Sequence, residues 1–243
     1  MSATTAVFKA EARLFGREPG VLFWVIGFPP LLLVILGSIP SFRDAGGEYR
    51  LIDIYVPVLV LVALIMAGVQ TMPPVITGYR ERGILRRMSV TPVRPGALLT
   101  AQMGLNGAAA ILSALLCLTI GKVAFGVQLP RQAFGYVVAL LLTAAAALAL
   151  GALVSALART AKIAGAIGSV VFFPSLFCAG LWIPVRAMPE LMERIVVLTP
   201  FGAAASALDQ ASTGQWPDWS HLGVLAGWAV VLTAMAARWF RWE

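Results

Sequence analysis

Charge is what this chain has least of. Only 12% of its 243 residues are Asp, Glu, Lys or Arg, about half the roughly 25% of a soluble globular domain. Apolar residues make up 60% and mean hydropathy is +0.88, which excludes an ordinary soluble fold and predicts an integral membrane protein. There is one histidine, His221, with no Cys or His at ligand spacing, so no metal site is expected. The two cysteines, Cys117 and Cys178, lie inside apolar runs and read as small buried hydrophobes, not as a disulfide. No phosphate-binding glycine loop is present: Gly121-Lys122 has Leu116 where the first glycine belongs. No Ser/His/Asp set is visible, which disfavours a membrane-embedded enzyme. Every Asp and Glu falls in or beside a loop, so the buried titratable group of a proton-driven transporter is missing. A channel filter is missing too. If the chain moves a solute, its energy comes from a partner. The net charge of +7 tracks membrane sidedness, and no nucleic-acid partner is expected.

Six apolar runs are present, at 20–40, 51–78, 96–121, 132–157, 163–183 and 221–237. The second is about 28 residues, or about 42 Å of straight helix, longer than the roughly 30 Å hydrocarbon core, so it must tilt or protrude. Pro29-Pro30 and Pro73-Pro74 are expected to kink the first and second spans, and Pro174 the fifth. Gln102 and Asn106 in the third span are expected to bond a neighbouring helix, with a substrate path as the lesser reading. The small residues of the fourth, Thr143 to Ala147 with Gly151 and Ser155, predict a span packed inside the bundle. Residues 1–19 read as an amphipathic helix lying in the interface. Lys9, Arg13 and Arg17 form a basic stripe, and Val7, Phe8, Leu14 and Phe15 an apolar arc. Glu11 and Glu18 fall on that arc, which predicts that this face packs on protein with the glutamates paired to arginines.

With six spans, twelve of the eighteen Lys and Arg fall on the side of both termini, which also holds the loops at 79–95 and 158–162. Four of the eleven acids share it. That side is expected to be cytoplasmic. Five arginines crowd into 79–95. A short helix from about Tyr79 to Met88 would place Ile84, Leu85 and Met88 on one flank, with Arg80 and Arg87 on another. Such an apolar spot rimmed by arginine suits a partner's groove. It equally suits a positive loop that only fixes topology. Thr91-Pro92 reads as an N-cap and first helical residue of the third span. Residues 184–220 are too polar to span; Leu191, Ile195 and Leu198 have helical spacing, and Pro200 breaks that helix, as in a re-entrant or interfacial pair. Arg238 to Trp242 form an aromatic and basic anchor.

These motifs resemble the membrane subunit of ABC transporters of the ABC-2 type, also called type V exporters. Tyr79-Arg80-Glu81-Arg82-Gly83-Ile84-Leu85-Arg86-Arg87-Met88-Ser89-Val90-Thr91-Pro92 is similar to that family's coupling-helix signature, Glu-x-Gly-Thr-Leu-x-x-Leu then Thr-Pro. Ile84 stands for the threonine and Met88 for the second leucine. Phe177-Cys178-Ala179-Gly180, Ile183-Pro184, Met188-Pro189 and Pro200 resemble its motif after the fifth span, with Ala179 and Thr199 for the usual serine and asparagine. The resemblance implies an all-α integral membrane permease of the plasma membrane. It would have an N-terminal interfacial helix, six spans, a cytoplasmic coupling helix, outward re-entrant helices at 184–220 and both termini cytoplasmic. It would pair with a second permease copy, identical or different, and sit on two ABC ATPase subunits that carry ATP and magnesium. The chain itself would bind no cofactor. Arg80, Glu81, Arg82, Ile84, Leu85, Arg86, Arg87 and Met88 would contact the ATPase, with Glu11 a salt-bridge partner for one of the arginines. The first, second and fifth spans would border a path at the permease interface. Phe23, Trp24, Phe28, Leu32, Phe172, Phe173, Phe177 and Trp182 would line it and favour a hydrophobic or amphipathic drug, antibiotic or lipid. A glycan exporter is the alternative within the family, and a non-transporting scaffold that docks a soluble protein the alternative outside it.

Overall fold

The computed structural model describes residues 3–43, 50–89 and 96–239, without the side chains of residues 3, 4, 6, 86, 88 and 89. The chain is an all-α membrane protein. Helix α1, Ala3–Phe15, precedes six helices long and apolar enough to cross a membrane: α2 Pro19–Ser38, α3 Leu51–Glu81, α5 Gly96–Phe125, α6 Ala133–Leu157, α7 Ala161–Cys178 and α10 Trp219–Trp239. A short α4, Ile84–Ser89, follows α3. Two further helices, α8 Glu190–Val196 and α9 Pro200–Thr213, are bent by 103° against each other between α7 and α10. A single helical turn, Pro40–Arg43, closes the first span.

Helix ends depart most from the apolar runs in two places. The third helix runs on to Phe125, and the fifth stops at Cys178, where Gly180 turns the chain and leaves Trp182 and Ile183 outside it. The expected cap at Thr91-Pro92 and the anchor residues Phe240 to Trp242 lie outside the described residues.

Both proline pairs stay within helical backbone. Proline gives no N–H and its ring presses on the carbonyl one turn back. Each pair is preceded by one π turn, Phe23–Gly27 in α2 and Met66–Thr71 in α3, and opens the next α segment. The wider i→i+5 turn makes room for the rings and re-routes the bonds that the missing donors would break.

The core is built around α3, buried on all sides from Val56 to Val69 and packed by α2, α5, α6, α7 and α9. Between helices in lipid there is little hydrophobic drive, so close packing of small residues matters more. The tightest crossing joins α3 to α6. A Cβ on Gly151 would lie 1.9 Å from the Gly68 carbonyl oxygen, and one on Gly68 2.3 Å from that of Ala147. Small residues on α6 thus bury it between α3, α9 and α10, as expected of the fourth span.

Arginines fix α3 at both ends. At the N-terminal end Arg50 pairs with Asp53 at 2.8 Å and donates from Nη1 to the Phe125 carbonyl at 3.0 Å, near the end of α5. The hydrogen bond to Asp53 holds the Arg50 guanidinium above its ordinary pKa. At the other end Arg80 donates from Nη1 to the carbonyls of Ser155 at 3.1 Å and Ala158 at 2.6 Å, at the end of α6. Last-turn carbonyls have no partner within their own helix and carry partial negative charge, so each guanidinium caps a neighbouring span.

Candidate functional site

The arginine-rich segment is not one helix. α3 carries Tyr79, Arg80 and Glu81, and the chain then turns through Arg82 and Gly83 before α4 begins at Ile84. Gly83 has φ of +65°, which a side chain would oppose. The expected helix over 79–88 is therefore split, and the split sends its residues in different directions. Arg80 points inward onto α6. Leu85 is 1% exposed, packed within this chain. Ile84 is half-buried, and Glu81, Arg82 and Arg87 are exposed. Arg87 donates from Nη2 to the Arg82 carbonyl at 3.2 Å, which closes the turn. Arg86 and Met88 have side chains outside the described set.

Glu11 joins this segment to the membrane helices. It is 7% exposed although its helix carries exposed Lys9 and Arg13, with exposed Arg17 just past the helix end. Its Oε2 accepts from the Tyr79 hydroxyl at 2.9 Å and from Gln102 Nε2 at 2.6 Å. Asn106 Nδ2 donates to Gln102 Oε1 at 3.3 Å, and Thr71 Oγ1 donates to Asn106 Oδ1 at 2.9 Å. One line of hydrogen bonds thus runs from α1, across α5, to the π turn of α3.

The expectation that Glu11 faces protein holds, but its partners are a phenol and an amide. No arginine lies within ion-pair distance of it among the described residues. Arg80, the arginine nearest in sequence to Tyr79, is held by α6 carbonyls instead. Glu18 is exposed. Gln102 and Asn106 bond across helices, as buried amides in spans are expected to do. Tyr79 and Thr71 were not legible as partners, because nothing in spacing links residues on α1, α3 and α5.

Residues 2–211 match the family model described as ABC-2 type transporter. The chain belongs to that family. It is the permease component of an ABC transporter, and membership implies an ABC ATPase partner. A search of curated proteins returned no match.

The eight aromatic and apolar residues expected along a permease path fall into separate groups. On α2, Phe23 and Trp24 are about half exposed and meet edge to face at 5.5 Å, with Phe28 against Trp24 at 5.1 Å and Leu32 half-buried a turn further on. Around α7, Phe173 and Trp182 are exposed. Phe172, by contrast, is 9% exposed and packs in the core, so it lines no path in this conformation. Phe177 packs against the small cluster of Val185, Met188 and Val196. Gln70 of the α3 π turn donates to Ser169 of α7 at 3.3 Å, which ties the two helices together.

Proposed function

We propose that this permease moves a hydrophobic or amphipathic compound outward across the plasma membrane. ATP hydrolysis on two ABC ATPase subunits would drive it, and a second permease copy would complete the path. Both termini are cytoplasmic in this reading. The ATPase docks on the surface that α4 and the preceding turn present with Glu81, Arg82, Ile84 and Arg87, and the sequence motif adds Arg86 and Met88 to the docking set. Arg80, Leu85 and Glu11 lie behind that surface and hold it on the membrane helices.

The observation that carries the reading is the line of side chains from Glu11 to Thr71. A push on the docking turn reaches α3 directly through Arg82 and Gly83. Through Tyr79 and Glu11 it also reaches α1 and α5. Docked force then arrives at a π turn, and π turns are frequent at functional sites. The half-exposed aromatics of α2 and α7 supply apolar surface to a path between copies, which supports an amphipathic substrate.

The test is compound-stimulated ATP hydrolysis by the permease–ATPase complex in lipid nanodiscs. Replacing Arg82 and Arg87 together by glutamate should abolish stimulation while the chain still inserts in the membrane. Stimulation equal to wild type would remove the docking assignment.

A further inference from the structure

Helix α1 crosses α5 instead of running along it. Phe8 reaches α5 at Gly104, where an added Cβ would lie 3.6 Å from the Phe8 ring. Glu11 bonds Gln102, and Leu14 and Phe15 border the same recess as Gln102 and Asn106. Contacts spread over residues 8–15 of α1 thus meet α5 within residues 102–106, about 6 Å of its length. A helix that keeps one level along a membrane-spanning neighbour lies across it, in the plane of the bilayer.

That level is the edge of the hydrocarbon. Helix α5 has 30 residues, about 45 Å of helix, against a hydrocarbon core of roughly 30 Å. Shared between its ends, the excess is about 7–8 Å each. Gln102 stands about 9 Å from the start of α5 at 1.5 Å per residue. Tyr79, the other partner of Glu11, is likewise near the end of α3, and Arg80 beside it caps the end of α6.

The direction in which α1 turns its charges follows from Glu11. At about 100° per residue, Phe15 stands about 40° from Glu11, and Phe8 and Leu14 about 60° to either side. Lys9 and Arg13, two residues before and after Glu11, stand about 160° away. The apolar arc therefore faces protein, and the basic face points away from it. Lys9, Arg13 and Arg17 are exposed, and none has a carboxylate within ion-pair distance among the described residues. Glu11 on the far face is bonded to Tyr79 and Gln102, and exposed Glu18 is one acid beside three cations. Cations aimed sideways at the hydrocarbon edge meet the phosphate layer. A zwitterionic headgroup brings its own ammonium to that layer and an anionic headgroup does not, so an excess of positive charge selects the anionic one.

We propose that Lys9, Arg13 and Arg17 form a seat for anionic phospholipid. Charge holds the outer face of α1 to the headgroups, while its apolar arc and Glu11 hold it to α3 and α5. The proposal uses neither the ATPase docking nor the exported compound and is the same for either orientation in the membrane, so its failure and theirs are separate results.

The experiment is native mass spectrometry of the delipidated full-length chain after exposure to an equimolar mixture of phosphatidylglycerol and phosphatidylcholine. The wild-type chain should retain the glycerol lipid in excess. A basic residue at an anionic surface contributes about fivefold, so Lys9→Gln with Arg13→Gln should cut that excess by about twentyfold. Lys9→Arg with Arg13→Lys keeps the charge and should keep the excess. Lys122→Gln with Arg131→Gln removes the same charge from exposed positions at the other end of α5 and should change the excess by less than about threefold. Equal retention of the two lipids by the wild-type chain, or an excess that survives Lys9→Gln with Arg13→Gln, would overturn the proposal. So would an equal loss in the Lys122 and Arg131 pair, which would make the preference one of total charge.

Discussion

Glu11 is where α1, α3 and α5 meet, and its carboxylate is held by two neutral donors rather than by an opposite charge. Removing it leaves the Tyr79 hydroxyl and the Gln102 amide without that acceptor in a buried site, at a cost of about 1–3 kcal/mol. Glu11→Ala is therefore expected to lower the Tm of the detergent-solubilised chain clearly, Glu11→Gln less, and Lys9→Ala on the exposed stripe hardly at all. Equal shifts for the three would mean that the junction does not hold α1. Arg80 and Arg82, two residues apart, should separate cleanly. Arg80→Met removes the donors on the α6 carbonyls and costs about 1–3 kcal/mol, seen as reduced thermal stability with or without the ATPase. Arg82→Met should leave stability unchanged and weaken ATPase retention instead. The sequence alone gave both arginines one role, because a run of basic residues carries no mark of which side chain turns inward. It did show Glu11 facing protein, since a carboxylate on an apolar arc needs a polar partner, and it marked Gln102 and Asn106 as helix-bridging amides.

The six long helices follow from one constraint, that backbone N–H and C=O groups in hydrocarbon must be satisfied within the segment. Their number was thus legible as apolar runs. Two things below that level were not. Paired prolines announce a disturbance, but the answer of a π turn depends on how the carbonyls one turn back are re-paired. The break at Gly83 depends on a positive φ that the apolar spacing of Ile84, Leu85 and Met88 ignores. Packing of α6 on α3 was legible only as a preference for small residues; the structure locates the closest approach at Gly68 and Gly151. Gly151→Val must push α6 off α3, and overpacking of this kind costs about 1–3 kcal/mol or more. Gly165→Val on α7, where an added Cβ meets nothing within 4 Å, is the control and should leave the Tm near that of wild type. If the two substitutions shift Tm alike, α3 and α6 are not in the close contact described.

For the whole molecule, a single helix, α3, links the two ends that matter. Its N-terminal end is clamped by Arg50, and its other end is clamped by Arg80 and runs into the turn proposed to dock the ATPase. The proposed topology, which follows the distribution of Lys and Arg, puts the docking turn in the cytoplasm. Arg87→Cys should accordingly react with a membrane-impermeant maleimide only after the cells are permeabilised. Leu191→Cys, on the exposed face of α8, should react in intact cells. The opposite pattern would invert the topology. An arrangement with one face toward a soluble motor and the other toward the outer leaflet is what an ATP-driven exporter requires.

The measurement closest to that claim is to purify the tagged chain from its host membrane in mild detergent and quantify what accompanies it by mass spectrometry. An ABC ATPase at about one copy per permease, lost on replacing Arg82 and Arg87 by glutamate and kept in Lys9→Ala, is the expected result. Recovery of a different soluble partner, or an ATPase retained in full by the charge-reversed chain, would contradict the account.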